Sequence, residues 1–152
     1  MKKYITLLIL TFFAIQSCEK DDFCIDETTP SLIILFYDND SQTELKQIKL
    51  DSIWIEDQIK IEEYVNVSID SIAIPIDLNN NFTTYIIENN TVKDTVKFSY
   101  TKNDVFVSRS CGYKTIFNDL QIDSNTTNWI KNISINNSTI DNETSAHISI
   151  FH

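Results

Sequence analysis

The sequence predicts an all-β protein, an antiparallel β-sandwich of immunoglobulin-like or similar kind, preceded by a cleaved N-terminal segment. Three observations carry this. After residue 30 the apolar residues recur with a period of two, as in Ile72, Ile74 and Ile76 or Val96, Phe98 and Tyr100. Isoleucine dominates those positions, and its branched Cβ suits a pleated surface better than a helix. No stretch of the same region sustains a capped period of 3.6, although Asp51 to Tyr64, with Ile53, Trp54 and Ile61, has room for a short helix.

The first element is residues 1–17. Lys2 and Lys3 form a positive start, Tyr4 to Ile15 a hydrophobic run, and the small Ser17 stands before Cys18. That order describes a lipoprotein signal peptide, with Cys18 acylated after cleavage and the chain held to a membrane by lipid. A transmembrane anchor and an ordinary cleaved signal are weaker readings. A spanning helix takes about 20 apolar residues, whereas this run stops at Gln16 and meets Glu19-Lys20-Asp21-Asp22. Residues 18–30 then read as an acidic tether. Its start looks like the export signal with which Bacteroidota lipoproteins reach the outer face of the outer membrane; a solvated linker is the plainer alternative.

Residues 31–152 form the single sandwich domain, with strands predicted at Ser31 to Tyr37, Lys46 to Ile55, Ile59 to Val67, Ile72 to Leu78, Phe82 to Glu88, Val96 to Tyr100, Val105 to Ser110, Tyr113 to Leu120, Trp129 to Ile135 and Ser145 to Phe151. The predicted core draws on Ile33, Leu35, Ile74, Ile76, Phe98, Val105, Val107, Ile116, Ile133 and Ile148, packed sheet on sheet. Turns fall to asparagine, which tolerates left-handed backbone best after glycine: Asn79-Asn80-Asn81, Glu88-Asn89-Asn90, Lys102-Asn103-Asp104, Ser124-Asn125 and Asn136-Asn137. The one glycine, Gly112, is expected at a positive φ or a close backbone approach.

Charge narrows the partners. The formal charge is −10, and loss of residues 1–17 removes Lys2 and Lys3 and no acid, leaving −12. Nucleic acid and anionic membrane surfaces would repel such a chain. Among three cysteines, assigning Cys18 to lipid leaves Cys24 and Cys111. In an oxidising compartment that pair reads as a disulfide, worth about 4–5 kcal/mol in the chain-entropy model, with two unpaired buried thiols as the alternative.

The runs Cys24, Thr29-Pro30-Ser31-Leu32-Ile33-Ile34-Leu35-Phe36-Tyr37-Asp38, Arg109-Ser110-Cys111-Gly112-Tyr113-Lys114-Thr115-Ile116-Phe117, Asn128-Trp129-Ile130-Lys131 and Ala146-His147-Ile148 resemble a family of uncharacterised flavobacterial lipoproteins, a domain of unknown function. The resemblance spans nearly the whole mature chain. It implies an envelope location and lends no active site.

Residues with catalytic or binding potential are sparse. His147 and His152 both fall in the last predicted strand, no nucleophile elbow accompanies them, and His147 reads as a half-buried strand residue. Asp38-Asn39-Asp40 with Glu44 offers oxygens in the manner of a calcium loop, but without its glycine or full spacing, so a charged hairpin turn is favoured. No Cys-x-x-Cys, phosphate loop or dinucleotide fingerprint is present, and neither a metal nor a cofactor is expected. Three triplets, Asp51-Ser52-Ile53, Asp70-Ser71-Ile72 and Asp94-Thr95-Val96, resemble the O-glycosylation sequence of Bacteroidota envelope proteins and nominate Ser52, Ser71 and Thr95; ordinary strand openings are the alternative. The expectation is a non-catalytic binding, assembly or structural module, lipid-anchored at the outer membrane and surface-exposed, with a periplasm-facing placement as the alternative and an envelope protein or glycan as partner. A small envelope hydrolase or calcium-dependent carbohydrate binder is the runner-up, resting on acidic content alone.

Overall fold

The computed structural model describes Cys24 and residues 28–152. The signal peptide, Cys18 and most of the tether lie outside the described residues. Two sheets face one another. The first has the order β4-β1-β9-β8, built from β1 (Leu32–Tyr37), β4 (Ser71–Ile74), β8 (Asn132–Ile135) and β9 (Ile148–Phe151). The second runs β3-β2-β5-β6-β7, from β2 (Ile48–Ile55), β3 (Val67–Ile69), β5 (Phe82–Asn89), β6 (Val92–Ser108) and β7 (Gly112–Asn125). All pairs are antiparallel except β1 with β9, which places the first and last strands side by side in parallel. The strand order differs from the ABED–CFG arrangement of immunoglobulin domains.

The predicted sandwich core is present, with one change of phase. In β1 the buried residues are Leu32, Ile34 and Phe36, whereas Ile33 and Leu35 are only half-buried on the outer face. Leu32 to Phe36 is apolar at every position, so alternation alone does not say which face turns inward. Ile74, Ile76, Phe98 and Ile148 are in the core as predicted. Across the interlayer they meet Ile48, Leu50, Ile53, Tyr85, Ile87, Val96, Phe117, Ile130 and Ile150, with Tyr85 edge-on to Phe98 and Tyr100 edge-on to Phe117.

Four elements differ from expectation. Ile59 to Val67 is not one strand: it holds a 3₁₀ turn over Glu62–Tyr64, then Asn66 at φ 56°, before β3 begins at Val67. The Tyr64 side chain is drawn inward, its hydroxyl donating to Ala73 O and accepting from Ala73 N. β4 stops at Ile74 because Pro75 has no N–H to continue the ladder. The predicted strands Val96 to Tyr100 and Val105 to Ser110 are parts of one 17-residue strand, β6. Lys102-Asn103-Asp104, expected as a turn, sits inside it opposite Phe117, Ile116 and Thr115. A polar run of this kind reads as a loop in sequence, yet it is tolerated in a strand with no sheet covering its faces.

The last difference follows from that one. β5 pairs with β6 only from Val92 to Ser99, so beyond that point β6 and β7 continue as a two-stranded ribbon. Val105, Val107 and Ile116, predicted for the core, lie on this ribbon and are only partly covered. Gly112 opens β7 at φ 73°, the left-handed backbone expected of it. The free edge of β7 is screened near its middle, where Phe117 and Ile140 exchange backbone hydrogen bonds and Leu120 N donates to Ser138 O.

Candidate functional site

One set of specific interactions lies where the N-terminal arm meets the ribbon. Cys24 and Cys111 are joined by a disulfide across a sequence separation of 87, their Cα atoms 4.9 Å apart. Cys111 belongs to the ribbon turn, where its N–H donates to the Ser108 hydroxyl oxygen at 3.2 Å. Thr29 Oγ1 next accepts the N–H of Thr115 on the β7 edge at 3.0 Å. Pro30 is buried, and Ser31 N donates to Glu143 Oε1 at 2.7 Å. The arm thus touches the second sheet through β7 and the first through the loop that precedes β9.

His147 completes the attachment. Ile33 N donates to its Nδ1 at 3.0 Å, and His147 N donates to Ile33 O at 2.9 Å. Burial lowers its pKa, against the opposing pull of the Asn142 backbone hydrogen bond and the nearby Asp141 and Glu143 carboxylates. The ring is therefore neutral with its proton on Nε2, and both nitrogens are engaged by backbone groups. It is more deeply buried than the half-buried strand residue expected, and it offers no acceptor to a hydroxyl nucleophile. Glu143 is held below its usual range chiefly by the Ser31 N–H. Two clefts flank the arm: one of about 310 Å³ beside Pro30, Asn142 and Glu143, and one of about 220 Å³ beside the disulfide, Val107 and Tyr113.

A second polar centre sits at the other end of β6. Asp94 is fully buried and accepts four hydrogen bonds, from Thr126 Oγ1 and Asn128 N on Oδ1 and from Trp129 N and Ile130 N on Oδ2. Burial is the largest single influence and opposes ionisation, but these donors together hold the carboxyl below its ordinary value. Asp94 thereby fixes the turn that carries the chain from β7 into β8. Sequence reasoning noticed Asp94 only as the first residue of a triplet; nothing in the sequence marks the facing amides.

The three predicted glycan acceptors separate. Ser52 is a correction: it is fully buried, its hydroxyl donates to Glu88 Oε2 at 2.9 Å, and the folded chain has no room there for a sugar. Ser71, first residue of edge strand β4, and Thr95 are each partly exposed. The Asp38 region is a hairpin turn: Asp38 Oδ1 accepts Asp40 N at 3.0 Å and Lys46 Nζ at 3.4 Å. Among the described residues no group of three or more His, Cys, Asp or Glu side chains converges as a metal site. No helix among them is long and apolar enough to cross a membrane.

What converges is a built junction: a covalent bond and three backbone-to-side-chain hydrogen bonds, one of them accepted by the neutral His147, fix the arm and the start of β1 to both sheets. Neither curated proteins nor solved structures gave a match to the chain. A protein-family match does cover residues 42–152, most of the chain and nearly all of the sandwich, and on it the chain belongs to DUF6452, a family of unknown function.

Proposed function

We propose that the protein is a lipid-anchored, non-catalytic module of a Bacteroidota cell envelope, attached at the outer membrane through an acylated Cys18 and facing outward, where it serves binding, assembly or structural support. The observation that carries this reading is Cys18 behind its hydrophobic run, six residues before the disulfide-bonded Cys24. A disulfide belongs to an oxidising compartment. A domain tethered by its N-terminus also has use for an arm clamped this firmly to its body. Ser71 and Thr95, each partly exposed, belong to the same reading as O-glycan acceptors.

Mass spectrometry of the native N-terminus tests the anchor. The expected result is a mature chain starting at an acylated Cys18, with Cys18→Ala left unprocessed or released from the membrane fraction. Cleavage elsewhere, or an unmodified Cys18, overturns it. The same intact mass reads the glycans: a value matching peptide plus lipid alone returns Ser71 and Thr95 to ordinary strand openings.

A further inference from the structure

The ribbon leaves the sandwich carrying residues that a free-standing hairpin has no structural reason to hold. Phe106 and Tyr113 face each other across it, ring centroids 5.4 Å apart, at 56% and 71% exposure. The other exposed large apolar side chains include Ile59 at 87% and Leu45 at 51%. Among the described residues, only here do two exposed aromatics meet. The turn adds Arg109, exposed and the one arginine of the chain.

The disulfide fixes what lies nearby. Cys111 is at the ribbon turn and is bonded to Cys24, and Cys18 is six residues upstream. Six residues fully extended reach at most about 20 Å. With 4.9 Å more from Cys24 to Cys111, an acyl anchor on Cys18 therefore holds the turn within about 25 Å of the bilayer, whatever path the tether takes. Aromatic side chains with an apolar body, tyrosine above all, settle in the headgroup region of membranes, and a guanidinium there meets lipid phosphate. With −12 on the mature chain, most of the surface lacks such chemistry.

We infer that the end of the β6–β7 ribbon is a membrane-contact site, in which Phe106 and Tyr113 enter the headgroup layer of the bilayer beside the acyl anchor and Arg109 pairs with lipid phosphate. This rests on the lipid-anchor reading. The contact gives the domain a second point of attachment and hence one orientation on the membrane, with the ribbon as a leg and the sandwich held away from the lipid.

Depth-dependent fluorescence quenching tests it on the acylated mature chain, reconstituted in vesicles of phosphatidylethanolamine and phosphatidylglycerol with brominated acyl chains. Tyr113→Trp, and Phe106→Trp in parallel should one of them fold poorly, is compared with the parent, whose Trp54 and Trp129 set the background. The expected result is at least a twofold loss of the added tryptophan signal in brominated relative to ordinary vesicles. Adding Arg109→Gln should reduce that loss when phosphatidylglycerol is present. No added quenching in a chain whose Cys18 acylation is verified by mass overturns the ribbon contact and leaves the anchor standing; an unacylated native Cys18 overturns both. Shielding of the added tryptophan that grows with protein density, in the absence of bromine quenching, assigns the surface to a second copy of the chain and equally overturns it.

Discussion

The sandwich and the ribbon are cut from the same two strands, β6 and β7, yet they are stabilised in opposite ways. From Val96 to Ser99, β6 has neighbours on both edges, and alternate residues Val96 and Phe98 are buried against the opposite sheet. From Thr101 to Ser108 the same strand has one neighbour, and its apolar residues are partly or largely exposed. Hydrophobic burial holds the first half. The second has hydrogen bonds such as Thr115 Oγ1 to Asp104 Oδ1 at 2.6 Å, and beyond them a covalent bond at its end. A two-stranded ribbon is marginal in water by itself, so the disulfide does locally what a core does elsewhere.

The largest effect is expected from removing the covalent bond. Cys24→Ser with Cys111→Ser releases a loop closed over a separation of 87 residues, and the chain-entropy model sets the loss at about 4–5 kcal/mol. Urea unfolding with and without the two substitutions reads it; an unchanged midpoint contradicts it. Next comes a matched pair of phenylalanines. Phe98→Ala, at 2% exposure, should cost about 3–5 kcal/mol. Phe106→Ala, on the ribbon, should cost under about 1 kcal/mol in the same assay. Similar values for the two would mean that the ribbon has a packing partner within the folded chain.

Asp94→Ala tests the body's polar anchor. It leaves four donors of the Thr126–Ile130 turn without their acceptor, at about 2–4 kcal/mol, and amide exchange at Trp129 and Ile130 should rise before that of β5. The mildest perturbation is acid. His147 has a folded pKa below its ordinary 6.5, so the unfolded chain takes the proton first, and stability falls as pH drops below about 6.5. His152, lowered by burial as well, adds to the same window. Asp94 and Glu143 are lowered from 3.8 and 4.5; their contribution is present above those values and is lost as pH falls through them. A urea midpoint that is flat between pH 7.5 and 5.5 refutes the histidine part, and His147→Gln should shrink the slope there.

How far the sequence could be read follows the same division. In the body, burial enforces the period of two, so Ile72 and Ile74 announce their strand and its inward face. In β1 the signal saturates, because Leu32 to Phe36 is apolar throughout and its phase depends on a parallel partner, β9, more than a hundred residues away. On the ribbon nothing enforces a pattern, and Lys102-Asn103-Asp104 looks like a break in the strand. The Cys24–Cys111 pair was legible by counting, since cysteine chemistry does not depend on neighbours. The remaining contacts of the junction were not. Thr29, Glu143 and His147 act through backbone groups 86, 112 and 114 residues distant, and ordinary residues at such separations carry no local mark.

The disulfide also decides where a pull on the protein is felt. In a chain anchored at Cys18, tension along the tether arrives at Cys24 and crosses to Cys111 before it can reach Pro30 or β1. There the load divides between β6 and β7, both drawn along their own length, so that many ladder hydrogen bonds resist together instead of opening one after another. Once the bond is reduced, the same force passes through Thr29 and Ser31 directly to β1, between β4 and β9 in the first sheet. A reductant would thus change the direction in which the domain is strained as well as how stable it is at rest.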